Sequence, residues 1–205
     1  MSTAVKSSPM GLTVLSLLHF KPLHPYGMQR LLKQWGKDQV VNVGQRTGLY
    51  RTIDRLLTAG LIAVRETGRD QQYPERTVYE LTEAGRQTTR TWLLDMLRSP
   101  KQEFPEFPVA LSNLMLLTPD EIVEALAARL ASVRGTRAAL ERALAETAES
   151  GVPRVALLET EYSLTVARAE VGWLESVIAD LRSGALAWSA EELLAVAAAS
   201  EAQTP

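Results

Sequence analysis

The stretch "GQRTGLYRTIDRLLTAGLIAVRETGRDQQYPERTVYELTEAGR", Gly44 to Arg86, decides the fold. Leu49, Ile53, Leu56 and Leu57 recur at helical spacing from about Gln45, and Gly60 supplies a C-terminal cap. Two β-rich runs follow, "LIAVRE" and "RTVYEL", joined by the polar loop "TGRDQQYPE". In the second run Tyr79 and Leu81 share one face, and Val78 and Glu80 the other. Thr82 then reads as an N-cap, with Glu83 in the first turn of a helix passing Trp92 and ending near Leu97. Helix, hairpin, helix is the order. Five arginines lie on its first helix and loop: Arg46, Arg51, Arg55, Arg69 and Arg76.

Two shorter helical patterns precede this stretch. "MGLTVLSLLHF" is a short buried helix, and "YGMQRLLKQWG" places Met28, Leu31, Leu32 and Trp35 on one stripe, with Gly36 as its stop. Pro22 and Pro25 fix the turn between them. Three helices followed by a hairpin form a winged helix-turn-helix. In that arrangement the third helix enters a DNA major groove by its N-terminal residues, and the hairpin lies along the backbone or a minor groove. Gln45, Arg46, Thr47, Tyr50 and Arg51 then face DNA. Gln reads adenine and Arg guanine bidentately, Thr touches a thymine methyl, and Tyr bonds a phosphate. Lys33, Lys37, Arg69 and Arg76 would meet phosphates, and Tyr26 and Arg55 complete the candidate face. The plainer reading is solvated surface charge. The order of elements speaks against it, because the basic residues gather on the two pieces that would approach DNA.

Charge is divided along the chain. Residues 1–100 carry 14 Lys+Arg against 8 Asp+Glu, a balance of +6, and residues 101–205 carry 8 against 16, a balance of −8, which together give the net −2. Alanine rises from 4 to 22 across the same point. Two compositions predict two domains, a winged helix over 1–100 and a helical dimerisation domain over 101–205, joined near "SPKQEFPEFP". From Pro119 the positions Ile122, Leu126, Leu130, Val133, Leu140 and Leu144 form a near-heptad seam broken by Arg137. From Pro153 a second seam runs Leu157, Leu164, Val171, Leu174, Ile178 and Leu181. Both prolines fit a first helical turn. Two helices of roughly 30 residues, each about 45 Å long, would pair antiparallel. Their seams would then call for a second copy as cover. Ser189 and Glu192 form a capping box for one more short helix in the tail.

The chain resembles the PadR family of transcriptional regulators. "MGLTVLSLLHFKPLHPYGMQRLL" corresponds to the family's leading helix and "HGY"-like turn, "GLYRTIDRLLTAGLI" to its recognition helix, and "TVYELTEAGR" to its wing strand and following helix. The resemblance spans roughly residues 9–98. "FPEFPVALSNLMLLTPDEIVEALAARL" and "AEVGWLESVIADLRSG" resemble the long helical C-terminal region of some members. It implies a homodimeric repressor, less often an activator, that reads a pseudo-palindromic operator and responds to a small molecule or stress. His24-Pro25-Tyr26 departs from the family's His-Gly-Tyr, so the turn must suit proline's fixed φ.

Other functions find little footing. With no cysteine there is no disulfide, thiolate ligand or thiol nucleophile, and His19 and His24 make no metal cluster. No cofactor is implied, and no set of side chains takes named catalytic roles. The N-terminal "MSTAVKSSPMG" lacks a signal peptide's apolar core and "VALSNLMLL" is too short to span a bilayer, so a cytoplasmic protein is expected. Trp92 and Trp173 read as core or dimer packing, or as platforms for a planar effector. The competing class is a winged helix used as a protein-interaction scaffold, which needs no basic reading face.

Overall fold

The structure is a computed structural model that describes residues 6–37, 40–41, 46–68, 76–148 and 150–189, with the side chains of residues 46, 47, 67, 68 and 76 outside that description. The chain divides into two compact units, Met1–Glu103 and Phe104–Pro205. The first holds α1 (Pro9–Phe20), α2 (Pro25–Gln34), α3 (Arg46–Thr58), β1 (Ile62–Gly68), β2 (Arg76–Leu81) and α4 (Glu83–Arg98). The second holds α5 (Glu106–Leu111), a 3-10 turn (Leu114–Leu116), α6 (Pro119–Ala148), a second 3-10 turn (Arg154–Ala156) and α7 (Leu158–Ser183). The fold is mainly α with a two-stranded antiparallel wing.

Three helices of the first unit, α1, α2 and α4, start where the sequence offers an acceptor to orphan amides. Ser8 Oγ accepts from Gly11 N–H at 3.1 Å, His24 Nδ1 from Gly27 N–H at 3.0 Å, and Thr82 Oγ1 from Gly85 N–H at 3.0 Å. Pro25 occupies the first turn of α2, where its missing N–H costs nothing and its φ suits the helix, so the His-Pro-Tyr departure is accommodated. The buried stripes converge on one core: Val14, Leu15, Met28, Leu32, Leu49, Ile53 and Leu56, closed by Ile62, Leu81 and Trp92. β1 and β2 pair from Ile62 opposite Leu81 to Gly68 opposite Arg76, with a bulge between Val64 and Glu66. Leu23, in the turn after α1, exchanges both backbone hydrogen bonds with Tyr79 at 3.0 Å each. The turn therefore adds a bridge to the free edge of β2, which pins the hairpin to the α1–α2 corner.

In the second unit α6 and α7 lie antiparallel, and their seams cover each other. Ile122, Leu126 and Leu130 of α6 pack with Val171, Leu174, Ile178 and Leu181 of α7. The expectation that these seams lack a partner within one chain is thus corrected: two antiparallel helices turn their apolar stripes inward onto one another. Arg129–Glu170 and Arg134–Glu175, both at 2.6 Å, cross between the helices. α6 begins with a reciprocal capping box. Glu121 accepts from Thr118 N–H and Oγ1–H at 2.8 Å each, bonds that hold its carboxyl below the usual carboxylate range. Pro153 does not open α7. It precedes the 3-10 turn, and α7 starts at Leu158 after Leu157 turns (φ −106°, ψ −7°). α5 was not foreseen, because six residues interrupted by Pro108 show no helical period. The capping box expected at Ser189 and Glu192 lies partly outside the described residues.

Two glycines give opposite forecasts. A Cβ on Gly85 would collide with the Leu61 carbonyl and come within 2.7 Å of Leu81 Cδ1, whereas one on Gly48 meets nothing within 4 Å. Alanine gains about 1 kcal/mol over glycine inside a helix. Overpacking against rigid backbone costs about 1–3 kcal/mol or more. Gly48→Ala is therefore expected to raise, and Gly85→Ala to lower, the urea midpoint of the first unit. Equal effects of the two changes would contradict this packing.

Candidate nucleic-acid interface

Helix α3 is two-sided. Leu49, Ile53 and Leu56 are fully buried, and Thr52 turns inward to donate to the Gly48 carbonyl at 2.8 Å. Tyr50, half exposed, and Arg51, exposed, stand on the opposite side. Arg46 and Thr47 form the first turn of α3. Gln45 and Arg69 lie outside the described residues, and Arg76 is described only as the backbone partner of Gly68 at the start of β2. Asp54 is exposed one turn after Tyr50 and Arg51. A carboxylate there repels phosphate, so the part of α3 suited to a polyanion is its first turn and a half.

Arg55 also has a partner within the fold. Its Nη2 donates to Ser8 Oγ at 2.8 Å, and Ser8 is the N-cap of α1. One hydroxyl thus accepts from Gly11 N–H and from the guanidinium, tying the start of α1 to the last turn of α3. Sequence reading missed this because Ser8 and Arg55 are 47 residues apart and neither carries a periodic signal.

On α2, Tyr26 is 62% exposed in the first turn, its ring stacked parallel to His24 at 6.0 Å. Lys33 is exposed in the last turn, and Lys37 follows half-buried beyond the helix. Wing and helix also meet through Tyr79 of β2. Burial pushes its phenol above the usual value near 10, and the nearby Asp54 carboxylate and Tyr50 add to that rise. Arg65, exposed at the bulge of β1, is a further cation on the wing. The run "LIAVRE" held it, but a bulge cannot be read from alternation.

The two tryptophans differ. Trp92 is 7% exposed in the first unit's core, its ring lying over Gly11 of α1. Trp173, on α7 of the second unit, is 43% exposed and meets Phe107 edge-on at 6.0 Å. Among the described residues no group of three or more His, Cys, Asp or Glu could hold a metal ion, and no helix is long and apolar enough to cross a membrane.

Residues 14–91 match the model of the transcriptional regulator PadR-like family. No sequence match was found among curated proteins. Among solved structures, PadR of Bacillus subtilis in complex with operator DNA is similar at a TM-score of 0.71 and 21% identity, covering 85% of this chain and 99% of that one. The same protein with p-coumaric acid gives 0.69 and 19%, covering 84% and 98%. The virulence activator AphA of Vibrio cholerae gives 0.63 and 18%, covering 85% and 98%. At these identities the likeness establishes the fold: a winged helix followed by a helical unit.

The two kinds of arginine on α3 should separate in stability. Arg55→Ala removes a charged donor from the α1 cap and should cost about 1 kcal/mol in chemical denaturation. Arg51→Ala removes an exposed side chain and should stay within about 0.5 kcal/mol of the parent. Equal losses would mean that Arg55 does not brace α1.

Proposed function

We propose that this chain, whose residues 14–91 carry the domain of the transcriptional regulator PadR-like family, is a DNA-binding transcriptional regulator that works as a homodimer. The observation that carries the reading is α3 itself. Its inner stripe is wholly buried, and Tyr50 and Arg51 stand on the opposite, outward side, beside a wing joined to the same helix. Arg46, Thr47, Tyr50 and Arg51, with Gln45 before them, enter the major groove. Tyr26, Lys33 and Lys37 meet phosphates beside α2, and Arg65, Arg69 and Arg76 meet them from the wing. Arg55 serves the reader from behind by holding α3 to α1. The operator complex of the Bacillus subtilis relative supports DNA as the ligand.

The dimer rests on a surface other than the two seams. Leu158, Tyr162, Val166 and Trp173 are all exposed on α7, spaced four, four and seven residues apart. That spacing makes one stripe about 22 Å long. A second copy covers it, and the paired readers meet a pseudo-palindrome with half-sites roughly 34–36 Å apart. The protein acts in the cytoplasm as a repressor, released by a small molecule or stress signal. The p-coumaric acid complex of the relative supports a small-molecule signal. Of the two tryptophans considered for it, Trp92 serves the core, and Trp173 lies on the stripe that the second copy covers.

Selection of bound sequences from random duplexes, followed by titration at several salt concentrations, tests the reading. With about 8 phosphates neutralised per dimer, affinity should fall by roughly three to five decades between about 50 and 200 mM salt. Arg51→Ala should cost about 1–3 kcal/mol on the selected site and relax its sequence preference, whereas Arg65→Ala should weaken all duplexes alike. Absence of binding to any duplex would leave the winged helix as a protein-interaction scaffold.

The dimer has its own test in sedimentation. Tyr162→Glu should convert a dimer at micromolar concentration to a monomer and lower specific affinity, because the second half-site is no longer held in place. A parent chain that sediments as a monomer would remove the twofold model.

A further inference from the structure

The second unit contains a pocket of about 180 Å³. It is lined by Leu114 and Met115 of the first 3-10 turn, Ile122 of α6, Val177 and Leu181 of α7, and Leu186 and Trp188 beyond α7, and it is partly open to solvent. Its exposed walls are wholly apolar. The chain reaches this position by a sharp reversal after α7. Gly184 adopts φ +73°, a left-handed conformation that favours glycine, and Leu186 N–H returns to the Asp180 carbonyl at 3.0 Å. The reversal carries Leu186 and Trp188 back against the hairpin.

We infer that this pocket is a binding site for a small neutral apolar molecule of one-ring size. Three observations set the class. Volume sets the size: an apolar cavity of about 150 Å³ accepts benzene, and drug-sized pockets begin near 300 Å³. At about 180 Å³ there is room for one ring with a short substituent and no more. The lining sets the polarity. A carboxylate or ammonium placed against these walls would shed part of its water and find no polar partner, which disfavours charged ligands. Trp188 and Met115 set the shape preference, since an indole face and a flexible thioether both favour a flat ring. A ligand so held would bridge four pieces of chain: the 3-10 turn, the start of α6, the end of α7 and the reversal after Gly184. The inference concerns the second unit alone and is tested without DNA, so its outcome is independent of the reading of the winged helix.

The test is methyl NMR on the full chain, titrated with toluene and, separately, with benzoate. Toluene should give saturable shifts at the methyls of Leu114, Ile122, Val177 and Leu181, and benzoate, of nearly the same shape but charged, should not. Val177→Phe fills the pocket with a side chain and should weaken toluene binding by about tenfold or more. Met115→Phe, at a residue 57% exposed, narrows the mouth and supplies the same readout should the first variant unfold. The inference is overturned by any of three results: no saturable shift with toluene in the full chain, benzoate binding as well as toluene, or filled variants that bind toluene like the parent.

Discussion

The winged helix depends on one junction between the end of α3 and the start of α4. The Thr82 hydroxyl lies 2.7 Å from the Gly60 carbonyl and 3.0 Å from that of Leu61, donating between them. It also accepts from Gly85 N–H, and Thr82 N–H donates to the Leu61 carbonyl at 3.2 Å. Gly85 lets the α4 backbone come close enough for this. Two segments of chain meet at one side chain: the turn from α3 into β1, at Gly60 and Leu61, and the passage from β2 into α4, at Thr82 and Gly85. Buried carbonyls and helix-start amides must all be partnered, and a single threonine partners them. The wing therefore cannot swing freely about α3.

That fixity converts a generic amphipathic helix into a surface of defined shape. Leu23 bridges the far edge of β2, and Ser8 takes the guanidinium of Arg55. α3 is thus braced at its C-terminal end by the Thr82 junction and by α1, while Tyr50 and Arg51 stand exposed on its other face. A reader needs this division. Side chains that discriminate bases must be held to a fraction of an ångström, and rigidity is supplied from residues that never touch the ligand. Asp54 marks the limit of the outward face.

The sequence disclosed what local chemistry controls. Periodicity identified every helix of the first unit, Thr82 announced the start of α4, and Leu49, Ile53 and Leu56 were read as core from spacing alone. Contacts between distant segments were not legible. The Leu23–Tyr79 bridge joins a proline-bounded turn to a strand 56 residues later, and the Ser8–Arg55 bond joins two helices with no pattern in common. Arg55 was read by its charge, whereas its partner decides its role. The seams of α6 and α7 were correctly located but wrongly judged to lack cover. A heptad stripe says that a helix needs a neighbour and leaves open which neighbour. Surplus apolar surface lies on another face of α7, at Leu158, Tyr162, Val166 and Trp173, and that pattern was hidden because the deeper stripe shares the same helix.

The division of charge has a physical consequence that composition alone only suggests. In the second unit the cations are largely engaged within the unit. Arg129 pairs with Glu170, Arg134 with Glu175, Arg168 with Glu141 and Arg154 with Glu161, and Arg129 also lies 3.5 Å over the Phe107 ring. Such half-exposed pairs add little stability each. They do cancel the positive charges locally, so what remains of residues 101–205 toward solvent is the carboxylate excess behind the −8 balance. In the first unit Arg51 and Arg65 are exposed on the face and wing described above. With a screening length of about 8 Å at physiological salt, a polyanion responds to the charges it is near and not to the net −2 of the whole chain. The acidic half therefore does not forbid a basic reader. It leaves the first unit, with its +6 balance, as the part of the chain whose charge favours a polyanion.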